Sequence, residues 1–367
     1  MRILALLCAA AIAAVATPVA AVTAAMADDA AVAAHDRRVV AAFVDDYARP
    51  AYARLHDAAG ALEAATVRYC ATPGAPTRTA LDAAFAGIVA AWAHVDFLRL
   101  GPATQAARLE RFAFWPDPRG FVERQLRPLL AGPEGETIDV AGLAGRSAAV
   151  QGLPAFERLL MTPEAAAGGA DFARRCRLGG LVAANLDIIA EELDAAWAAP
   201  DGIARTLTTP GPDNPLYRSP AEAATEVLKA LVTGIEQTRD LAIAPALGDS
   251  PAAAKPNRLP YARSGLTTTY LAASVSAIGE LVVASGFADG LPSDDAWAKD
   301  SALFEIRNAA KVIAGLSGTP AELAGAEPGR GKLAYVRIAL GSVRETVAGP
   351  MAAGLGLNVG FNALDGD

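Results

Sequence analysis

Residues 171–199 read DFARRCRLGGLVAANLDIIAEELDAAWAA, and within them Leu178, Val182, Leu186, Ile189, Leu193 and Trp197 recur at spacings of four and three. That spacing places all six on one apolar helical face. Pro200–Asp201–Gly202 then stops the pattern. The same signature recurs on both sides of this stretch, while strand signals are scarce. Upstream, residues 28–69 form one long helical pattern with a bend expected at Pro50. Residues 77–100 form a second, closed by Gly101–Pro102. Downstream, helical patterns cover about 221–247, 265–286, 294–316, 319–324 and 332–353. Ser219–Pro220–Ala221–Glu222 opens that series as an expected capping box with proline at the first helical position. The fold class expected is therefore all-α.

The chain has 367 residues, long enough for two ordinary domains. Residues 200–219 are rich in Pro, Gly, Thr and Asp. They mark the best linker, taken as 201–219, between helical bundles at 28–200 and 220–367. Hydrophobic residues make up 53% of the chain and aromatics only 6%, so the core is mostly Ala, Leu and Val. Small side chains of this kind let helices approach closely.

Residues 1–27 have the pattern of a secretory signal peptide. Arg2 precedes an apolar run over 3–16, Thr17–Pro18 breaks it, and Ala25–Met26–Ala27 offers small residues before a cut at Asp28. The competing reading is an uncleaved anchor. Cys8 lies inside the apolar run, so it is not a lipid-attachment cysteine. No later segment has about 18 uninterrupted apolar residues, and no membrane span is expected in the mature chain. Arg2 is the only charge before Asp28, so the net charge of −8 becomes about −9 after cleavage. An acidic chain of this kind argues against nucleic-acid partners. Cys70 and Cys176 remain, and in an oxidising compartment they read as one disulfide; the alternative is two buried thiols.

Three histidines, His35, His56 and His94, are too few and too scattered for a helical His-Glu-x-x-His zinc site. Phosphate-loop, nucleophile-elbow and haem-attachment patterns are also absent. Three segments stand out instead. In residues 111–120, RFAFWPDPRG, two prolines flank Asp117 and stiffen the loop, so Trp115, Asp117 and Arg119 could line a pocket. The alternative is a structural turn with Trp115 in the core. In residues 150–160, VQGLPAFERLL, Gly152 and Pro154 start a helix on which Glu157 has apolar neighbours. A carboxylate in that setting needs a partner, because burying it alone is costly; Gln151, Gly152 and Pro154 are its candidate pocket neighbours. Residues 354–367, GLGLNVGFNALDGD, suit turns and end on the oxygen donors Asp365 and Asp367.

Together these segments resemble the imelysin-like family of bacterial envelope proteins over essentially the whole mature chain. The matching residues are the Trp92 helix ending in Leu98–Arg99–Leu100–Gly101–Pro102, the Phe114–Trp115–Pro116–Asp117 loop, the Gly152–Glu157 element, Arg175–Cys176 and the tail from Leu357 to Asp367. The resemblance implies two helical-bundle domains with a cleft between them, a periplasmic or outer-membrane-associated setting and a link to iron acquisition. It also implies a Gly-x-His-x-x-Glu motif, which here falls on Gly152 to Glu157 with Pro154 at the histidine position. Proline has no donor atom for a metal. The remaining oxygen candidates are Glu157, Asp117, Asp365 and Asp367, which would suit iron or another divalent or trivalent metal. No spacing requires one. The function expected is a non-catalytic envelope protein that binds a metal, a metal chelate or an envelope protein partner. The alternatives are a metallopeptidase and a helical protein-binding scaffold.

Overall fold

The computed structural model describes residues 16–132, 138–360 and 364, and among them all regular structure is helical. The helix Phe172–Ala198 lies within a residue of the stretch that gave the fold class. Its periodic side chains are buried: Leu178, Val182, Leu186, Ile189, Leu193 and Trp197. It packs along Arg49–Ala71, which in turn packs on Ala75–Ala93. Trp197 anchors one end, stacked on Tyr52 and edge-on to Phe43. At the other end Cys70 and Cys176 form a disulfide, with Cα atoms 5.6 Å apart.

The second half is built from Pro220–Glu236, Thr267–Ala284, Trp297–Ala314 and Gly329–Thr346. Thr267–Ala284 packs against Trp297–Ala314 on one side and against Ala75–Ala93 of the first half on the other. Among the described residues it alone is long and apolar enough to cross a membrane, but Leu271, Val275, Ile278 and Leu281 are buried in the core. The helix Ala16–Ala42 packs on Pro220–Glu236. One continuous apolar cluster thus runs from Val39 to Leu357 through both halves. Within the expected linker, residues Ile203–Thr208 form a short helix that buries Leu207.

The helical pattern over residues 28–69 does not simply kink at its proline. It widens into a π turn over Phe43–Ala48, and Pro50 sits in the first turn of the helix that follows. Proline has no N–H to give the carbonyl four residues back, and its ring crowds that carbonyl. A wider turn upstream relieves both problems. The same pairing recurs at Gln237–Ile243 before Pro245 and at Val347–Met351 around Pro350. Ser219 caps its helix through the Glu222 N–H, but the Glu222 carboxylate accepts from Arg218 N–H rather than closing the expected box. A reciprocal box does form at Thr319 and Glu322.

Candidate functional site

The site begins at the loop that follows the helix Arg108–Phe112. The Trp115–Pro116 bond is cis, and Trp115 turns onto a pocket between the two halves. The Asp117 carboxylate accepts from Phe121 N–H at 2.8 Å and Val122 N–H at 2.9 Å. It therefore caps the helix Phe121–Ala131, although the residue also borders the pocket. Arg119 is exposed on this loop and lines neither chamber described below. Replacing Asp117 with alanine should cost about 1 kcal/mol of stability, the usual worth of a cap. A denaturant midpoint unchanged from wild type would show that the cap contributes nothing.

The second wall is the helix Leu153–Leu160. Gln151, just before it, is buried; its amide nitrogen donates to the carbonyls of Ala144 and Arg146, and its oxygen accepts from Arg111. Gln151 thus ties the helix entry in place and does not face the pocket. Pro154 takes the first helical turn, where a missing N–H costs nothing. One turn on, Glu157 is only 4% exposed and faces the second half. Its Oε1 accepts from the backbone N–H of Ser264 at 2.9 Å and from the Ser264 hydroxyl at 2.7 Å. Burial raises the Glu157 pKa, while Ser264 and nearby Arg263 pull the other way.

These walls enclose two adjoining chambers of about 200 Å³ each, sharing Phe114, Trp115, Pro116 and Tyr261. The chamber beside Glu157 also carries Pro154, Arg158, Arg258 and Arg263. The other is floored by Asp96, a buried carboxylate that accepts from the Tyr270 hydroxyl at 2.6 Å. Gln237 donates to Tyr270 at 3.3 Å and accepts from Arg99 at 3.4 Å, completing a chain across the two halves. The π turn at Gln237–Ile243 brings Gln237 to one chamber and Leu241 to the other.

Burial lifts the Asp96 carboxyl from 3.8 to about 7, against the opposing pull of Tyr270, Arg99, Gln237 and the Phe97 N–H. The folded value lies above the unfolded one, so between about pH 4 and 7 the folded state keeps a proton the unfolded state has lost. Its stabilising contribution is complete below pH 4 and is lost as pH rises through 7. Asp96→Asn removes this dependence. From pH 4 to pH 8 the wild type should lose stability relative to the variant by on the order of a few kcal/mol. Melting temperatures of both proteins across that range provide the check; a constant difference would mean that Asp96 holds no proton.

Among the described residues, no three His, Cys, Asp or Glu side chains converge as metal ligands would. Glu157 and Asp117 border the same chamber, but both Asp117 oxygens are engaged by helix N–H groups. Asp365 and Asp367 lie outside the described residues. His35 contacts the carbonyl of Phe287, His56 lies beside Asp194, and His94 lies between the Ala90 carbonyl and Glu280. None of the three lines either chamber. The donors described do not fit a protein-bound metal centre, which needs several ligands on one ion.

Asp96, Arg99, Gln237, Tyr261, Ser264 and Tyr270 did not emerge as pocket residues from the sequence. For Asp96 a signal was present: it is a lone acid in the apolar stretch AWAHVDFLRL, residues 91–100. Comparison with known proteins then places most of the chain. An imelysin-like protein from Psychrobacter arcticum 273-4 superposes with a TM-score of 0.72 at 18% identity, covering 90% of this chain and 98% of that one. A protein from Parabacteroides distasonis ATCC 8503, named as an iron-regulated protein A precursor, superposes with a TM-score of 0.57 at 14% identity, covering 86% and 95%. At such identities these likenesses concern the fold alone. Comparison with curated protein sequences finds no match. The family model for imelysin, Peptidase_M75, matches residues 48–336, and on that span the chain belongs to the imelysin family.

Proposed function

We propose that this chain is an exported, non-catalytic envelope protein linked to iron uptake, and that it holds a metal chelate in the two-chamber pocket. One observation carries the reading. Glu157 is fixed by Ser264, Pro154 one turn before it offers no donor atom, and among the described residues no three His, Cys, Asp or Glu side chains are grouped to hold an ion. A bare ion would find too few ligands there. A chelated ion brings its own donors and needs walls and counter-charges instead. Phe114, Trp115 and Tyr261 supply the walls, and the exposed guanidinium groups of Arg258 and Arg263 suit an anionic chelate. Export is supported by the N-terminal pattern and by the Cys70–Cys176 bond, which belongs to an oxidising compartment. The structural neighbour named as iron-regulated supports the link to iron.

The test uses repurified protein spanning residues 28–367, titrated with ferric citrate and followed by tryptophan fluorescence and equilibrium dialysis. Binding is expected, weakened about tenfold or more in an Arg258→Ala, Arg263→Ala double variant, since two charge-assisted contacts are removed. Absence of binding would remove the chelate reading. Peptide hydrolysis that survives repurification and disappears in Glu157→Gln would replace it with the peptidase reading.

A further inference from the structure

The two chambers differ in charge, and the difference defines a ligand. The Glu157 chamber carries three guanidinium groups matched by three carboxylates, Asp117, Glu123 and Glu157, and is formally balanced. The Asp96 chamber carries two carboxylates, Asp96 at its floor and Glu110 on the exposed side, against the single guanidinium of Arg99. Arg99 is turned to Gln237, 3.4 Å away. The remaining walls of this chamber are largely aromatic. Trp92 stacks on Phe112 behind it, Trp115 and Tyr270 have ring centroids 6.3 Å apart, and Tyr261 and Tyr270 5.5 Å apart. A ring presents its negative face to a cation, and a buried carboxylate beside several rings adds full charge where water is excluded. About 200 Å³ is room for a small head group rather than a whole large ligand.

We propose that the Asp96 chamber is a binding site for a small organic ammonium group, either a free alkylammonium compound or the ammonium arm of a larger ligand that extends past Trp115. Asp96 supplies the counter-charge, held in place by the Tyr270 hydroxyl. Trp115, Tyr261 and Tyr270 supply the cation–π faces. Glu110, exposed at the rim, sits where it attracts a cation toward the chamber. The inference rests on reading the pocket as a binding site rather than an active site.

The experiment compares choline with its uncharged isostere 3,3-dimethyl-1-butanol. It uses the mature chain at about pH 8.5, above the value near 7 at which Asp96 ionises. Calorimetry is expected to show choline bound at least about tenfold more tightly than the alcohol, because shape is shared and only charge differs. Asp96→Asn should remove that preference, and Trp115→Leu should weaken choline while the circular dichroism spectrum stays that of the wild type. Equal affinity for choline and the alcohol, or no choline binding at millimolar concentration, overturns the proposal. So does a charge preference that survives in Asp96→Asn, an outcome that does not depend on how Trp115→Leu folds. Ferric citrate is titrated in parallel. Chelate binding without choline binding defeats this inference alone, and choline binding without chelate binding defeats only the iron reading.

Discussion

Replacing Cys70 and Cys176 together with serine is expected to be among the most destabilising changes the chain can undergo without touching its core. The bond joins residues 106 positions apart. In the chain-entropy account, a loop of about 100 residues contributes about 4.7 kcal/mol by restricting the unfolded ensemble. Native geometry should change little, because the bridge links helices that already pack along their length. The expected loss is about 4 kcal/mol, which for a chain of this size is a fall in melting temperature on the order of 10 °C. Calorimetry of the double variant, and of the wild type with and without reductant, measures it. A shift below about 2 °C would mean that the unfolded chain is already restricted without the bond.

Gly152→Ala is expected to be nearly as severe for a different reason. The backbone of Gly152 is extended, so conformation is no obstacle. Space is the obstacle: an added Cβ would lie 2.2 Å from the carbonyl oxygen of Phe112 and 2.6 Å from that of Arg111. Both are backbone atoms and cannot swing away as a side chain could. The segment carrying Trp115 and the helix carrying Glu157 would have to move apart. The expected cost is about 3 kcal/mol, at the upper end for overpacking. Gly180→Ala is the internal control, since an added Cβ there meets nothing within 4 Å in the middle of Phe172–Ala198. That variant should be neutral or more stable by about 1 kcal/mol. Equal denaturant midpoints for the two variants would refute the steric account. Gly152 thus has a steric reason to be glycine that is independent of any metal.

The helices were legible because periodicity is local. The helix Phe172–Ala198 needed only the spacing of its own side chains, and the cysteine pair needed only a count and a compartment. The pocket was half legible. Trp115, Pro154 and Glu157 were marked by unusual chemistry in their own neighbourhoods, and all three line it. Their partners were not, because pairing Glu157 with Ser264 joins residues 107 apart, and pairing Asp96 with Tyr270 joins residues 174 apart. No local pattern encodes such a meeting. Residues 249–264 carry three prolines and three basic residues, yet nothing in them names the helix they cover. Asp117 has a second role that its chemistry did not announce. Its chemistry suggested a ligand, but a carboxylate four residues before a helix start is also well placed to cap it.

The packing of Ala16–Ala42 on Pro220–Glu236 also constrains the order in which the protein can assemble. His35 meets the carbonyl of Phe287, which is 252 residues further along the chain. The partners of Cys70 and of the helix Arg49–Ala71 arrive within the first two hundred residues. A chain delivered N-terminus first can therefore staple its early helices while the first helix still has nothing to rest on. The face of that helix that packs on Pro220–Glu236 stays uncovered until the second half has followed. Contacts this distant in sequence close slowly, and apolar surface left open in the meantime invites association with other chains. The nascent protein would need shelter for that one face until Pro220–Glu236 arrives.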